Sequence, residues 1–591
     1  MSGVLQGLVK DRCAVWLAVM TVCVYVPGMT WGLPHATSYE RTHAWGNDDA
    51  APLAALAEMH DTFVAPSPNR NVAYPWGHYF VMACAMAPYM AWLLVTGQFA
   101  HPTPTFPFGL VDPAGAFEVL GLLCRSLSIL LGVAAVVGVY VGARGLWGRR
   151  AGCLAAVFTM LLFPMSYYAK LTNPDMPVLG WTSLGLAVVA VSLRGGLTVK
   201  RGLWLGSFVA LAGATKDQSA GSFVLLSPVL VWIQWKSGQP DRFFGWHSKW
   251  ASLAAALVSL CIVYFMMSGV LVDPARFAQH LEKLSSASTT RALYLRHPLT
   301  WTGTIHQLQD LFGYLLDVVS VPLFFTACAG ILLATVRDRL SLVMLLSSAG
   351  FLFILIPVGM SRVHYLLPVA LPLTYFAAYA VDQALSSPTW RLSAALACGL
   401  MVGLLLLQTV DLTHDMLRDS RYAAGEWLDQ RLSSGDRVMH FGYASKLPHL
   451  RADVRNLTIV HEQEAIPAIK ESRPEFVLVI PQDMNEGRQR LEWRNGLNSA
   501  ISPFSKKLFD QLVDGTLGYR LVEKFHAPRL IPWLDRPFLS YASVNPPVQV
   551  FMREDRAGSL VAVEPWYEAP YGLVTGRVRE VTADHPGDAV L

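Results

Sequence analysis

The stretch Trp45-Gly-Asn-Asp-Asp-Ala-Ala-Pro52 puts two adjacent carboxylates, Asp48 and Asp49, directly after an apolar run and at the start of a long polar loop. No cation neighbours them in the sequence, and the nearest is Arg41. A carboxylate pair beside a membrane suits proton abstraction or metal binding. The alternative is a solvated loop or a helix N-terminus, where Asp is favoured. The rest of the chain favours the first interpretation.

The composition indicates a polytopic membrane protein. Of 591 residues, 53% are hydrophobic and only 15% are charged, and the mean hydropathy is +0.38, whereas a soluble protein is about a quarter charged. The eight cysteines lie in apolar stretches without a CxxC or Cys/His metal spacing, which argues against a disulfide framework or a zinc finger. The lipid bilayer is the expected partner, and nothing indicates a nucleic-acid partner.

Basic residues alternate with apolar stretches along the first 410 residues. The basic clusters at 144–150, 194–201, 236–249 and 337–339 and Arg391 fall in alternate connections, which the positive-inside rule assigns to the cytoplasm. The first stretch, 13–33, reads as an uncleaved transmembrane helix. The twelve apolar stretches are 13–33, 74–96, 119–143, 151–168, 178–193, 202–218, 219–235, 250–272, 313–334, 340–358, 365–384 and 392–410.

With the N-terminus inside, one stretch before residue 144 must fail to cross the membrane. The stretch 74–96 begins Tyr74-Pro-Trp-Gly-His-Tyr79 and carries Pro88, so it predicts a helix that lies in or dips into the interface. The predicted fold is a polytopic α-helical domain, residues 1–410, with about eleven transmembrane helices and a large first outer loop, 34–118. We expect it in the inner or plasma membrane, with a cytoplasmic N-terminus and an outer C-terminus.

Residues 411–591 differ in character, since charge rises and long apolar runs stop. A helix is predicted over 419–431, and short strand-like runs alternate with helical patterns. This indicates a C-terminal extracytoplasmic α/β domain with an irregular tail after about residue 555. The predicted strands are 437–441, 475–480, 519–525 and 548–552.

On this topology, ionisable and polar residues gather at the outer ends of the spans. Such groups are costly there, so their collection on one face predicts a functional site. Carboxylates take a proton or hold a metal, and Lys and Arg hold a phosphate, although each single residue could be a snorkelling cation or a helix cap. No nucleotide-binding glycine motif and no Ser/His/Asp arrangement is present. The candidates are Asp48, Asp49, Arg125, Lys170, Asn173, Asp175, Lys216, Asp217, His280, Arg362 and His364.

At these residues the chain resembles the GT-C fold glycosyltransferases that use a polyprenyl-phosphate sugar, including the protein O-mannosyltransferase and aminoarabinose-transferase groups. Asn47-Asp-Asp49 resembles the family's acidic pair, and Tyr74-Pro75 its membrane-lying helix. Further similarity lies in Arg144–Gly152 followed by Pro164 and Asp175-Met-Pro177, in Gly213-Ala-Thr-Lys216, and in Arg362–Pro368. The chain departs from the family in having Asp49 instead of Glu and an added Val-His after Arg362, which leaves open which acid is the base and what His364 does.

The resemblance implies transfer of a sugar, with inversion, from a polyprenyl phosphate to an acceptor in the cell envelope: a lipid, a glycan or a protein. Asp48 would deprotonate the acceptor, and Lys216 and Arg362, with Lys170, would hold the departing lipid phosphate. Asp175 would orient acceptor or sugar, or share a divalent metal with Asp49; no other cofactor is implied. The C-terminal domain would cap the site.

Two other classes of protein remain as alternatives. A transporter or lipid flippase would also be polytopic, but it should place ionisable groups near the membrane midplane, often in repeated halves. In this sequence they lie at one face, and no repeat is visible. A non-catalytic relative of the glycosyltransferases is the second alternative.

Overall fold

The structure is a computed structural model, and two of the residues discussed above, Asn47 and Arg362, lie outside its described part. The described residues are 11–46, 48–49, 51–67, 70, 72–237, 240–244, 246–285, 297–298, 300–358, 363–441, 447–459, 462–480, 506–534, 544–558 and 560–565.

The membrane portion is a bundle of helices joined by short turns. Single 3₁₀ turns lie at Tyr39–Arg41, Asp217–Ala220, Arg339–Met344 and Val363–Leu366, and a small antiparallel hairpin joins β1 (Asp241–Phe243) to β2 (Trp246–Ser248). The helices are α1 (Arg12–Tyr25), α2 (Leu53–Phe63), α3 (Trp76–Val95), α4 (Pro113–Trp147), α5 (Arg149–Leu161), α6 (Phe163–Tyr168), α7 (Asp175–Gly195), α8 (Val199–Thr215), α9 (Gly221–Val224), α10 (Leu226–Ser237), α11 (Ala251–Met267), α12 (Pro274–Ser285), α13 (Trp301–Val319), α14 (Val321–Arg337), α15 (Leu345–Val358), α16 (Leu367–Ser386) and α17 (Arg391–Leu417).

Within the described residues, six helical segments are long and apolar enough to cross a membrane, and a seventh results if the bent pair α13 and α14 is one span. That pair turns by 100° at a break, where Ser320 has a positive φ of 63°. The helix α3 is among the six by length and composition, so its predicted interfacial position stays a prediction, as does the number of eleven spans. The six segments are Trp76–Val95, Pro113–Trp147, Asp175–Gly195, Arg339–Ile356, Val363–Ser386 and Arg391–Asp429.

The first helix is shorter than the apolar stretch that contains it. We expected one helix over 13–33, but α1 ends at Tyr25, and that expectation is wrong for its second half. Pro27 follows at once, and Gly28 adopts a left-handed φ of 85° that helices do not contain. The chain from there to residue 46 turns back over the bundle and carries the acidic pair to it.

The long helix α4 runs between two chemically different ends of the bundle. Near its start Arg125 binds Asp49, and near its end Arg144 binds Asp11. At 1.5 Å per residue these arginines are about 29 Å apart, close to the thickness of a membrane's hydrocarbon core. The basic clusters therefore lie at one end of the bundle, and the carboxylate loop lies at the other.

The C-terminal part of the described chain, where we predict an α/β domain, contains a five-stranded sheet with helices packed against it. Its strand order is β4-β3-β5-β7-β6, parallel among the first three and antiparallel at β7 and β6. The predicted strands are confirmed, whereas β4 was not predicted. The strands are β3 (Arg437–Phe441), β4 (Arg455–Ile459), β5 (Phe476–Val479), β6 (Tyr519–Phe525) and β7 (Val548–Arg553), and the helices are α18 (Ser420–Asp429), α19 (Glu462–Ser472), α20 (Lys506–Val513) and α21 (Glu554–Ala557).

The sheet buries apolar side chains on both faces. Met439 and Val477 face α20, while Val438 and Leu478 face the helix α18. Successive residues of one strand thus serve opposite faces, which is the side-chain period of a β-strand. All four residues of β5 are apolar and buried, because helices cover both faces of the sheet.

The loop that follows α1, which we predict to be the first outer loop, is fixed to this domain by a buried arginine. Arg41 is 5% exposed and donates hydrogen bonds to the carbonyls of Leu450, Arg451 and Val454. The Trp45 indole donates to the carbonyl of Leu447 at 2.9 Å. The loop therefore reaches the acidic pair with its preceding residues already held by the C-terminal domain.

The close crossing of α8 and α11 yields a stability prediction. A methyl group on Gly206 would overlap the carbonyl oxygen of Ala256, which is backbone and cannot move aside easily. Gly206→Ala should lower the free energy of unfolding by about 1–3 kcal/mol through overpacking. Gly399→Ala is the control, because no atom lies within 4 Å of its added methyl group, and it should match the wild type or gain up to about 1 kcal/mol. Thermal melting in one detergent compares them; equal melting temperatures for Gly206→Ala and wild type would contradict the packing.

Candidate functional site

Asp49 is a buried structural tie between three segments of the chain. Its Oδ2 lies 2.5 Å from Nη2 of Arg125, and both side chains are fully buried. Its Oδ1 accepts hydrogen bonds from the amide and the hydroxyl of Thr172, at 2.9 and 2.6 Å. Arg125 also donates to the carbonyls of Met29 and Trp31. Arg125 is therefore an internal anchor of the loop and not a snorkelling cation.

The surroundings of Asp49 do not suit a metal ion. Both of its oxygens already accept hydrogen bonds, and one of them is held by a guanidinium, whose positive charge would repel a second cation. Within the described residues no group of three or more His, Cys, Asp or Glu side chains is arranged to hold a metal. The residues present do not fit the divalent metal that the resemblance offers as one of two roles for Asp175, shared with Asp49.

Asp48 is presented outwards by the same backbone that buries Asp49. It is exposed, and its φ of 54° lies in the left-handed region, which is strained for a residue other than glycine and is often found at functional sites. It makes no ion pair within the described part of the chain. The pair is thus divided: Asp49 holds the loop, and Asp48 is available for chemistry.

Asp175 and Lys216 form a second buried pair, at the point where the start of α7 meets the end of α8. Asp175 is the first residue of α7, and Lys216 follows the last residue of α8 in extended backbone. Lys216 Nζ lies 2.6 Å from Asp175 Oδ1 and 4.6 Å from the ring centre of Tyr365. The two residues are 6% and 7% exposed. An ammonium has three donors, so Lys216 keeps capacity for an anion.

The second oxygen of Asp175 is free for a ligand. Oδ2 is buried and has no hydrogen-bond partner among the described residues, and Nε2 of His364 lies 3.9 Å away. A buried carboxylate oxygen without a donor is costly, so a hydroxyl group brought by a ligand would be favoured there. Asn173 Oδ1 accepts the Asp175 amide at 2.7 Å, which gives Asn173 the role of a helix cap.

The first turn of α3 and the segment just before it close the site, and each contributes one residue that the sequence analysis did not name as a candidate. The His78 side chain is buried, close to the main chain of Thr172 and to the charged groups of Asp175 and Lys216. This turn packs so tightly that a methyl group on Gly77 would lie 2.6 Å from the carbonyl oxygen of Met267. The signal was present in the aromatic run 74–79, which we had attributed to the membrane interface alone.

Tyr74 is the second of these residues. Its burial raises the pKa of the phenol well above its usual value, and the negative charges of Asp48 and Asp175 raise it further. Tyr74 therefore stays a neutral hydrogen-bond donor within electrostatic reach of both carboxylates. Tyr74 thus lies near both Asp48 and Asp175.

Lys170 lies apart from that pair. It is fully buried, and its ammonium donates to the hydroxyls of Ser166 and Thr413 at 3.0 and 2.9 Å. Its contacts are with α6 and α17, and they include neither Asp175 nor Lys216. Burial lowers the pKa of Lys170 to about 7, because the low-dielectric interior disfavours its charged form.

Asp217 and His280 form part of the wall around the site. Nε2 of His280 lies 3.2 Å from Asp217 Oδ2, and its Nδ1 lies 2.8 Å from the carbonyl oxygen of Val72. Burial acts to lower the pKa of His280, but the hydrogen bond and the charge of Asp217 outweigh it, and the pKa is raised. The histidine thus connects the segment after Lys216 to the segment before Tyr74.

A separate cavity of about 330 Å³ opens between the first outer loop and the C-terminal domain. Neither Asp175 nor Lys216 lines it. Its lining residues are Thr30, Trp31, Leu33, Pro34, His35, Glu118, Met416, Leu417, Tyr422 and His449.

No protein-family model and no curated protein matches the chain. Among solved structures it is similar to ArnT from Cupriavidus metallidurans bound to undecaprenyl phosphate, with a TM-score of 0.44, 14% identity, and coverage of 93% of this chain and 99% of that one. It is also similar to the Archaeoglobus fulgidus oligosaccharyltransferase tethered with an acceptor peptide, with a TM-score of 0.44, 13% identity, and coverage of 92% of this chain and 89% of that one. For the arabinofuranosyltransferase AftD from Mycobacteria the TM-score is 0.38 and the identity 14%, and the match covers 91% of this chain and 41% of that one.

These three proteins are glycosyltransferases of the GT-C fold, the family that the sequence resembles. Their TM-scores lie below 0.5 and their identities near 14%.

The buried amine of Lys170 predicts a pH-dependent stability. Its pKa falls from 10.5 to about 7 in the folded protein, so the unfolded chain binds more protons between these two pH values. The free energy of unfolding should therefore rise with pH from about 7 to about 10. Lys170→Met should remove this rise, and the exposed Lys200→Met should keep it. Thermal melting at several pH values measures it; an unchanged pH profile in Lys170→Met would contradict a buried amine of low pKa.

Proposed function

We propose that the chain is an integral-membrane glycosyltransferase that moves a sugar from a polyprenyl-phosphate donor to an acceptor outside the cytoplasm, with inversion. The observation that carries this proposal is the pairing of two groups at one end of the helix bundle. A buried cation, Lys216, can meet a phosphate at the membrane surface. An exposed carboxylate, Asp48, can take a proton.

The reaction that suits these groups is a single displacement at the anomeric carbon of the sugar. Asp48 takes the proton of the acceptor hydroxyl or amine, whose oxygen or nitrogen forms the new bond to that carbon. The bond between the anomeric carbon and the phosphate oxygen breaks, and polyprenyl phosphate leaves with the electron pair. Attack opposite the leaving group inverts the configuration.

Lys216 would stabilise the negative charge that grows on the leaving phosphate. Fixed charges in a site shielded from water are commonly the largest contribution to a rate. Asp175 holds Lys216 in place through Oδ1, and its free Oδ2 would accept a hydrogen bond from a hydroxyl of the sugar or the acceptor. Arg362 remains a second phosphate ligand on the evidence of its sequence motif alone.

The orientation that suits this chemistry places the carboxylate end of the bundle outside the cell. The basic residues at the other end of α4 favour the cytoplasm by the positive-inside rule. With about eleven spans, the N-terminus would be cytoplasmic and the C-terminal domain would stand outside the plasma membrane, above the site. An acceptor of the cell envelope would reach Asp48 from that side.

A transporter would place its charges differently. Its substrate and coupling-ion sites belong near the middle of the membrane. Here Asp175 and Lys216 lie where α7 begins and α8 ends. In the proposed orientation these helix ends lie at the outer membrane surface, at the level of a lipid phosphate group, which favours transfer chemistry over transport.

The proposal predicts different consequences for the two adjacent acids. Purified protein incubated with labelled polyprenyl-phosphate sugars should transfer label to a cell-envelope extract. Asp48→Asn keeps the shape but cannot take the proton, so turnover should fall about 100- to 10,000-fold with an unchanged melting temperature. Asp49→Asn should mainly lower the melting temperature, because Arg125 loses its buried partner.

Two measurements on the same samples, turnover and thermal melting, separate these effects. Near-normal turnover in Asp48→Asn would show that Asp48 is not the base. If no donor in the panel transfers label to any fraction of the extract, the proposed activity is wrong.

A further inference from the structure

The short helix α12 is hydrogen-bonded to the segment that carries Tyr74. Arg276 and His280 lie one turn apart on its buried side and are 1% and 2% exposed. Arg276 Nη2 donates to the carbonyl of Tyr74 at 2.6 Å, and His280 Nδ1 lies 2.8 Å from the carbonyl oxygen of Val72. Two side chains of α12 thus hold two carbonyls of the same three-residue stretch.

A network of ion pairs reinforces these hydrogen bonds. Arg276 Nε donates to Glu58 of α2 at 2.9 Å, and Glu58 is also paired with Arg70 at 2.6 Å. Arg70 in turn lies 2.5 Å from Asp273, just before α12 begins. With a second bond from His280 to Asp217, the helix connects the Tyr74 segment to the residue that follows Lys216.

Another side of α12 is apolar and is left uncovered by the part of the chain that the structure describes. Phe277, Leu281 and Leu284 follow one another at spacings of four and three residues, which places them on one stripe of the helix. Leu281 and Leu284 are 47% and 45% exposed. Gln279 and Glu282 are exposed on the remaining polar side. Apolar and polar sides on one short helix are typical of helices that lie at a membrane surface.

The surface next to this stripe indicates what covers it. In the preceding helix α11 the residues Ile262, Phe265 and Met266 are 54%, 49% and 58% exposed. The apolar exposure continues through Leu271 and Val272 in the turn that leads to α12. The stripe is therefore the continuation of a lipid-facing surface, and the bilayer is the occupant that fits it.

We propose that α12 is a membrane-surface helix whose apolar stripe rests on the bilayer while Arg276 and His280 act as positioning residues for the Tyr74 segment. The contact with lipid would set the position of Tyr74 relative to Lys216. If the chain is the glycosyltransferase proposed above, capture of a donor dissolved in the membrane depends on this helix. The lipid contact itself does not depend on that activity.

Photo-crosslinking of the unmodified chain tests the contact directly. The protein is placed in nanodiscs of phosphatidylethanolamine and phosphatidylglycerol that contain a lipid with a diazirine on its acyl chain, and adducts are mapped by mass spectrometry. We expect adducts on the 277–284 stripe as well as on 262–266 of α11, and none on the strand β6. Adducts on α11 without any on 277–284 would overturn the proposal.

Charge placed on the stripe tests the consequence for the donor. Leu281→Glu and Leu284→Glu should each raise the KM for a long-chain donor in nanodiscs by about five- to tenfold, with little change in kcat, because the apolar contact is lost. Gln279→Glu adds the same charge on the polar side and should leave both constants unchanged. A merely structural role of the leucines would lower kcat and the melting temperature instead, and equal KM values for the three variants would overturn the coupling. A chain that crosslinks as expected but transfers no sugar would contradict the proposed function and not the lipid contact.

Discussion

The buried ion pair of Asp49 and Arg125 is the interaction on which the site depends. Two charges without exposure to solvent are costly unless each is fully hydrogen-bonded, and removing one partner of such a pair costs about 3–5 kcal/mol. Here Thr172 supplies the remaining donors to Asp49, and the carbonyls of Met29 and Trp31 accept hydrogen bonds from Arg125 Nη1, so that among the described residues only Nε of this guanidinium lacks a partner. The pair joins the first outer loop, α4 and the segment before α7 at one point.

The position of Asp48 follows from this pair. Adjacent side chains on an extended or turning backbone point in different directions, so fixing Asp49 inwards turns Asp48 outwards at a positive φ. Arg41 and Trp45 fasten the same loop to the C-terminal domain. The carboxylate that we propose as the base is thus carried by a backbone held on both sides. Such preorganisation lowers the cost of aligning reacting groups.

Much of this arrangement could be predicted from the sequence, because local patterns determine it. Apolar stretches and basic connections indicated a membrane bundle with two unlike ends, and alternation in the last third indicated the α/β domain. The end of α1 at Tyr25 was missed because Pro27 and Gly28 lie inside a stretch that is apolar throughout. The strand β4 was missed because Arg455-Asn-Leu-Thr-Ile459 has few apolar residues.

The site itself could be predicted only in part. Asp48, Asp175 and Lys216 were expected to be functional, and the structure places Asp175 and Lys216 in contact. Their partners could not be foreseen: Arg125 contacts Asp49 across 76 residues, and Arg276 contacts Tyr74 across 202. Lys170 illustrates the reverse case, since its sequence neighbours place it near Asp175 while its side chain points to Thr413. No local pattern encodes such pairings, which arise from how the helices pack.

The central claim is that a lipid phosphate binds beside Lys216. Binding of undecaprenyl phosphate to the purified protein in detergent, measured for the wild type and for Lys216→Gln, tests it most directly. We expect saturable binding by the wild type that weakens about tenfold or more in Lys216→Gln, since a charge-assisted hydrogen bond is lost. Equal affinities in the two proteins, or no binding by the wild type, would contradict it.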